Sequence, residues 1–310
     1  MTLNRPLGPP WDLPSRVMGL HRRVVGEGPG VPGIVAGAAA GLAALWLERA
    51  VLDEGATGRE ALGGPSVPLE PLLAAHPRSL VMLTHGGPRT ADTSRDRPVA
   101  AAGVVDPITG RTPLALTSTQ WDGIHAALLR EVEAALRAGA WGVGVEAARG
   151  HLWHSALSPL MCPDHDERAR LRARLMTLVK ELRGLTPRLA VSLVVEDVAV
   201  GGLPPREGVG VARELVDAGA TMVIARVGGP HMVRRMDAPE PRFLEEEGPA
   251  LHAGKWLRAA LPGDVVVAVA GAIRTEAVVQ AALEARCCDA VVVGRPLREG
   301  SALIPRASTT

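Results

Sequence analysis

One short stretch holds the chain's densest proton chemistry: Glu146, Arg149, His151 and His154. An imidazole changes charge near neutral pH, and a carboxylate or guanidinium beside it can orient the ring or stabilise the charge that forms. Such a set supports proton transfer, dehydration, isomerisation or cyclisation without any redox step. Plainer readings stand beside this one. Glu146 and Arg149, three positions apart, also suit an ion pair that holds a loop, and His154 also suits packing in a core. Cys162, Asp164, His165 and Asp166 are of metal-ligating types, but no second cluster matches them, so they read as a solvated loop and no metal site is expected. The chain contains six Trp, one Phe and no Tyr, which excludes any mechanism that needs a tyrosine proton donor.

Composition narrows the partners. Lys plus Arg number 34 against 33 Asp plus Glu, and no basic run is interleaved with aromatics, so nucleic acid is not an expected partner. Three cysteines make no disulfide framework, and Cys287 with Cys288 read as packing before a buried run. Residues 34–47 form the longest apolar stretch, Ala/Gly-rich and too short to span a bilayer, and the first residues do not read as a signal peptide. The expectation is a cytoplasmic protein with a small-molecule substrate and no membrane contact.

The elements that must position these residues follow from hydrophobic pattern. Continuously apolar runs over 79–83, 142–146, 189–195, 221–227, 264–271 and 290–294 predict parallel strands covered on both faces. Weaker runs at 16–19 and 42–47 add two more. Between them lie helical patterns: Ser118 as N-cap of a helix through Ala138, then 168–185, 205–218, 249–261 and 275–285. Gly139, Gly184 and Gly219 are expected just past helix ends. Eight strand–helix units in 310 residues predict one (β/α)8 TIM barrel over 1–310, with a long loop after strand three around 84–113 and a short tail over 298–310. A doubly wound open sheet is the competitor, but no Gly-rich turn follows the first strand. In a barrel the chemistry sits at the C-terminal strand ends, which places Glu146, Arg149 and His151 at the mouth of strand four, with His21, Thr84 and His85 from strands one and three nearby.

The stretch from Gly142 to Pro159, with its Gly-His-Leu-Trp-His-Ser-Ala-Leu-Ser-Pro ending, resembles the strand-four segment H-x-A-H/N-G-Y-L-L-x-x-F-L-S-P of the Old Yellow Enzyme family of FMN-dependent ene-reductases. The resemblance continues in order along the chain: residues 13–20 for strand one, 81–89 for strand three, Gly201-Gly202 after strand five, 267–274 and 291–297 for the phosphate-binding turns of strands seven and eight. It implies the same barrel, with FMN over the mouth and its phosphate on Gly271, Ala272, Gly294 and Arg295. Backbone amides and an Arg fork suit an anion there, although Ala272 replaces a family glycine.

At the positions of chemistry the chain departs from the family. The Gln that hydrogen-bonds the flavin corresponds to Met82, and the strand-five Arg that supports the reduced ring corresponds to Ser192. The His/His or His/Asn pair that holds a substrate carbonyl corresponds to Glu146 and Arg149, and the proton-donating Tyr to His151. An ionised Glu146 accepts only and would repel a carbonyl oxygen. With Met82 and Ser192 the flavin loses a hydrogen bond and a positive charge. On these losses the expected mouth is one without FMN, turned to non-redox proton transfer, isomerisation or cyclisation on an apolar secondary-metabolite intermediate such as a polyketide. His151, Glu146 and Arg149 would be catalytic, and His21, Met82, Thr84, His85 and Ser192 would contact substrate. The alternatives are an FMN-dependent NAD(P)H oxidoreductase of altered specificity, with His151 as proton donor, and a catalytically inactive binding subunit. A homodimer is compatible with the fold-level analogy.

Overall fold

The computed structural model describes residues 11, 17–21, 44–50, 70, 73–74, 77–89, 98–233, 248–273 and 275–293. Among the described residues ten strands are present: β1 (Val17–His21), β2 (Ala44–Ala50), β3 (Ser79–Thr84), β4 (Val99–Ala100), β5 (Leu114–Ala115), β6 (Gly142–Ala147), β7 (Leu189–Glu196), β8 (Met222–Val227), β9 (Val266–Ala270) and β10 (Ala290–Val293). Eight of them close into a parallel barrel in the order β1-β10-β9-β8-β7-β6-β3-β2, which excludes the open sheet. The segment after β3 carries a 3-10 turn over Gly87–Arg89 and a separate two-stranded sheet of β4 and β5. The tail beyond residue 293 lies outside the described residues.

Strand periodicity divides the side chains into two cores. Odd positions such as Val81, Leu83, Val143, Val145, Val191 and Val223 face the helices, while Leu80, Met82, Ala190, Met222, Ile224, Ala268, Ala270 and Val292 fill the barrel. With few rings available, the interior is packed by Ala, Val and Met. Gly144 is the register partner of Met82, and a Cβ on it would stand 2.2 Å from the Met82 sulfur. The glycine therefore makes the space that Met82 occupies. Below the barrel, Trp11 stands edge-on to Trp141 at 5.3 Å and donates its indole N–H to the Thr221 carbonyl at 3.1 Å.

The helices whose bounds lie among the described residues are α1 (Ser118–Arg137), α2 (Leu152–Leu157), α3 (His165–Leu185), α4 (Pro205–Asp217), α5 (Pro230–Val233), α6 (Leu251–Ala260) and α7 (Glu276–Glu284). Ser118 is the first helical residue of α1 rather than its cap. Thr117 is the N-cap and exchanges hydrogen bonds with Gln120 in a capping box. Asp164 accepts from the Asp166 and Glu167 amides and starts α3, so the acidic stretch there is a helix start. Gly139 and Gly219 adopt positive φ past their helices, but Gly184 lies inside α3, whose buried stripe of Leu171, Leu175, Leu178 and Leu182 carries the helix past it. No described helix is long and apolar enough to cross a membrane. Cys162, Cys287 and Cys288 are buried free thiols, and burial pushes the Cys162 thiol up to about 11.

Candidate active site

The alternation that buries Val143, Val145 and Ala147 against helices turns Glu146 into the barrel mouth. Its register partner on β7 is Ser192, whose hydroxyl donates to Glu146 Oε1 at 3.0 Å. A residue not anticipated from the sequence completes the group. Arg226, two positions beyond Ile224 on β8, donates from Nε to Ser192 Oγ at 2.9 Å and lies 3.7 Å from Glu146 Oε1. Arg149 approaches from the other side and donates from Nη2 to Glu146 Oε2 at 3.2 Å. The Glu146 side chain is completely buried, whereas that of Arg149 is 17% exposed. Within the mouth the carboxylate is thus covered by two guanidinia and a hydroxyl.

Arg149 occupies a left-handed conformation with φ 60°, followed by Gly150 at φ 75°. A left-handed non-glycine residue costs roughly 1–2 kcal/mol and persists only where neighbours over-determine it. Here Arg89 donates to the Arg149 carbonyl, and the Gly150 N–H donates to His154 Nδ1 at 2.8 Å. A Cβ on Gly150 would meet Pro230 at 2.5 Å and Arg89 Nε at 2.8 Å, so only glycine follows Arg149. Arg89 itself reaches Asp106 at 3.5 Å.

His151 is the N-cap residue of α2, and its Nδ1 lies 2.7 Å from Thr84 Oγ1 at the end of β3. Burial, then the nearby charges of Arg149 and Arg89, with smaller effects from His154 and Arg226, push its imidazole well below its ordinary value. The ring is therefore neutral at physiological pH. The folded value lies under the unfolded one, so between the two the unfolded chain binds the extra proton. The stability that comes from keeping the ring neutral is complete above the ordinary value of 6.5 and declines as pH falls toward the folded value. Urea unfolding at about pH 7.5 and about pH 5.5 is expected to show a larger acid loss in the parent protein than in His151→Gln. Equal losses would contradict this.

The other expected residues are placed as follows. Thr84 and Ser192 join the mouth as partners of His151 and Glu146. Met82 is fully buried in the barrel interior. His85 is buried, and its Nδ1 accepts from the Gly87 amide at 3.0 Å, so that nitrogen is occupied by its own turn. His21 ends β1, in register with Leu47 of β2, and its side chain lies outside the described residues. Gly271 and Ala272 follow β9 with φ 127° and 49°, and the Gly248 amide donates to the Ala272 carbonyl. Among the described residues, a Cβ on Gly271 would find nothing within 4 Å. Gly294 and Arg295 lie outside the described residues. His154 joins Asp197, Nε2 to Oδ1, at 2.8 Å, a buried pair whose carboxylate partner the sequence did not single out.

Arg226 had one signal in the sequence: a guanidinium on the inward face of an otherwise apolar strand, in phase with Met222 and Ile224.

No family model and no curated protein matches the chain. Solved structures do. Morphinone reductase in complex with tetrahydroNAD superimposes with a TM-score of 0.69 at 22% identity, over 97% of this chain and 91% of that one. The old yellow enzyme homologue from Zymomonas mobilis gives 0.70 at 18%, over 96% and 89%. A 2-naphthoyl-CoA reductase complex with 2-naphthoyl-CoA gives 0.75 at 18%, over 96% of this chain but 52% of the other, so the chain spans about half that protein's length. The chain has the Old Yellow Enzyme barrel fold.

Proposed function

We propose that the protein is a flavin-dependent oxidoreductase of altered specificity, acting on an apolar carbonyl compound. The observation that carries this reading is the Arg226 guanidinium 2.9 Å from Ser192 Oγ. The positive charge missing at Ser192 arrives from the next strand, which removes the main argument for a mouth without FMN.

Two features of the described mouth fit FMN. Arg226 supplies a cationic donor for the electron-rich edge of the ring, and among the described residues no atom lies within 4 Å of a Cβ placed on Gly271 at the phosphate turn. One does not: Met82 is apolar and fully buried, so that contact is lost. Gly271, Ala272, Gly294 and Arg295 would hold the phosphate. Bound and reduced there, FMN would supply a hydride.

The chain's own residues supply the rest. Arg149 presents a guanidinium, partly exposed and braced from below by Glu146, to a substrate carbonyl oxygen. Because Glu146 is buried and already accepts three donors or cations, the repulsion expected from its sequence position does not arise. His151 carries the proton. With Nδ1 facing the Thr84 hydroxyl, Nε2 gives its proton to the substrate while Nδ1 takes the hydroxyl proton and Thr84 recovers one from solvent, so the ring stays neutral and no alkoxide is left.

A second reading rests on the same neutral ring. A neutral imidazole beside guanidinia is also a base, suited to non-redox proton abstraction next to a carbonyl. Colour separates the two. The purified protein, alone or after addition of FMN and removal of excess, is expected to be yellow and to bleach with a nicotinamide cofactor. A colourless protein that takes up no FMN overturns the redox reading and leaves the non-redox one.

A further inference from the structure

Three consecutive βα loops at the mouth are tied by a buried polar network that none of these steps uses. His154, in α2, is fully buried. Its Nδ1 accepts from the Gly150 amide, so that nitrogen carries no proton, and Nε2 therefore donates to Asp197 Oδ1. Asp197 follows β7. Its other oxygen accepts from Ser158 Oγ at 2.6 Å and from the Leu203 amide at 2.8 Å. Burial alone would raise this carboxyl, but the bonds from His154, Leu203 and Ser158 outweigh it and hold it below its ordinary value. From the loop after β8, Gly229 donates to the Asp197 carbonyl at 3.1 Å. A Cβ there would stand 2.7 Å from Asp197 Oδ1 and 3.2 Å from the His154 ring.

Both ring nitrogens of His154 are thus committed, and nothing in this arrangement moves a proton. The imidazole is a spacer of fixed length between an anchored carboxylate and one amide. That amide is the one after Arg149, in the only described pair of successive left-handed residues that includes a charged side chain. We propose that His154 is a positioning residue: through the Gly150 amide it holds Arg149 in its left-handed conformation and so keeps the guanidinium over Glu146 and beside His151. The proposal deepens the reading above, since it concerns the same Arg149, but its test needs neither FMN nor substrate.

Two variants separate positioning from general stability. In His154→Asn the side-chain oxygen falls near the place of Nδ1 and keeps an acceptor for Gly150, while the bond to Asp197 is lost. In His154→Gln the amide nitrogen falls near the place of Nε2 and keeps the donor to Asp197, while Gly150 loses its acceptor. Both remove the imidazole, so that change is common to the pair. Hydrogen exchange at Gly150 is expected to quicken about tenfold in His154→Gln, the ratio expected for one buried hydrogen bond, and to stay near the parent rate in His154→Asn. The His151 imidazole, followed by NMR, is expected to titrate higher in His154→Gln than in His154→Asn, because the Arg149 charge has left its side. In an Arg149→Met background that difference is expected to vanish. A folded His154→Gln with Gly150 exchange and His151 titration equal to those of His154→Asn overturns the proposal. Should His154→Gln fail to fold, loss of Gly150 protection in His154→Asn overturns it on its own.

Discussion

If the parent protein binds FMN as proposed, Arg226→Met is expected to take it up about a hundredfold more weakly, the scale set by removing one charge-assisted donor from a water-excluded site. Arg226 is the cation that meets the Ser192 hydroxyl, and Ser192 passes the contact on to Glu146. Arg226→Lys recovers only part of the loss, because an ammonium lacks the planar fork that can serve Ser192 and a ligand together. Ser192→Ala is the control, since it removes the bridging hydroxyl and leaves the guanidinium. Fluorescence titration with FMN gives the affinities, and thermal melts of the same samples show that each variant is folded. An Arg226→Met protein with parental affinity would remove Arg226 from the flavin site and with it the observation on which the redox reading rests.

Gly208→Ala lowers stability by about 3 kcal/mol, at the upper end of overpacking costs. Alanine is ordinarily the better helix residue, so propensity alone predicts a small gain at this position near the start of α4. Packing decides otherwise. A Cβ at Gly208 would stand 2.0 Å from the Val195 carbonyl oxygen and 2.7 Å from its carbon. Both are backbone atoms of β7, at the step between Val194 and Glu196 where its register with β8 shifts, so no side chain can rotate away. Either α4 lifts off β7 or the strand shifts, and that strand carries both Ser192 and, one residue past its end, Asp197. Urea unfolding is expected to show a lower midpoint at unchanged slope. A midpoint shift worth less than about 0.5 kcal/mol would show that the helix yields freely.

The barrel was legible because its signals are local. Runs such as Leu189–Val195 and Val265–Ala270 are apolar on both faces, and the residues that end helices, Gly139 and Gly219, lie where they were expected. Short elements escaped: α2 spans six residues, less than two turns, and leaves no periodic pattern to read. Gly184 misled because burial of a leucine stripe outweighs the cost of one glycine near a helix end. The site was half legible. Residue types placed Glu146, Arg149 and His151 at one strand end, but their meaning depends on register between strands. From sequence, Glu146 is a repelling carboxylate and Ser192 a lost cation. Across the pairing of β6, β7 and β8 they are two parts of one arrangement completed by Arg226. No spacing rule along the chain links positions 146, 192 and 226.

The scarcity of rings has an optical consequence. Without tyrosine, ultraviolet emission comes from tryptophan, and four of the six indoles are sorted into two distant pairs. Trp11 and Trp141 stand at the base of the barrel, beneath the strands. Trp121 and Trp153, with ring centres 5.1 Å apart, stand at the opposite end, Trp153 two residues beyond His151. With Trp46 on β2 and Trp256 on α6 replaced, the remaining emission would come from these two pairs alone. Light from the upper pair registers what happens around α2, and light from the lower pair marks whether the barrel beneath has stayed closed.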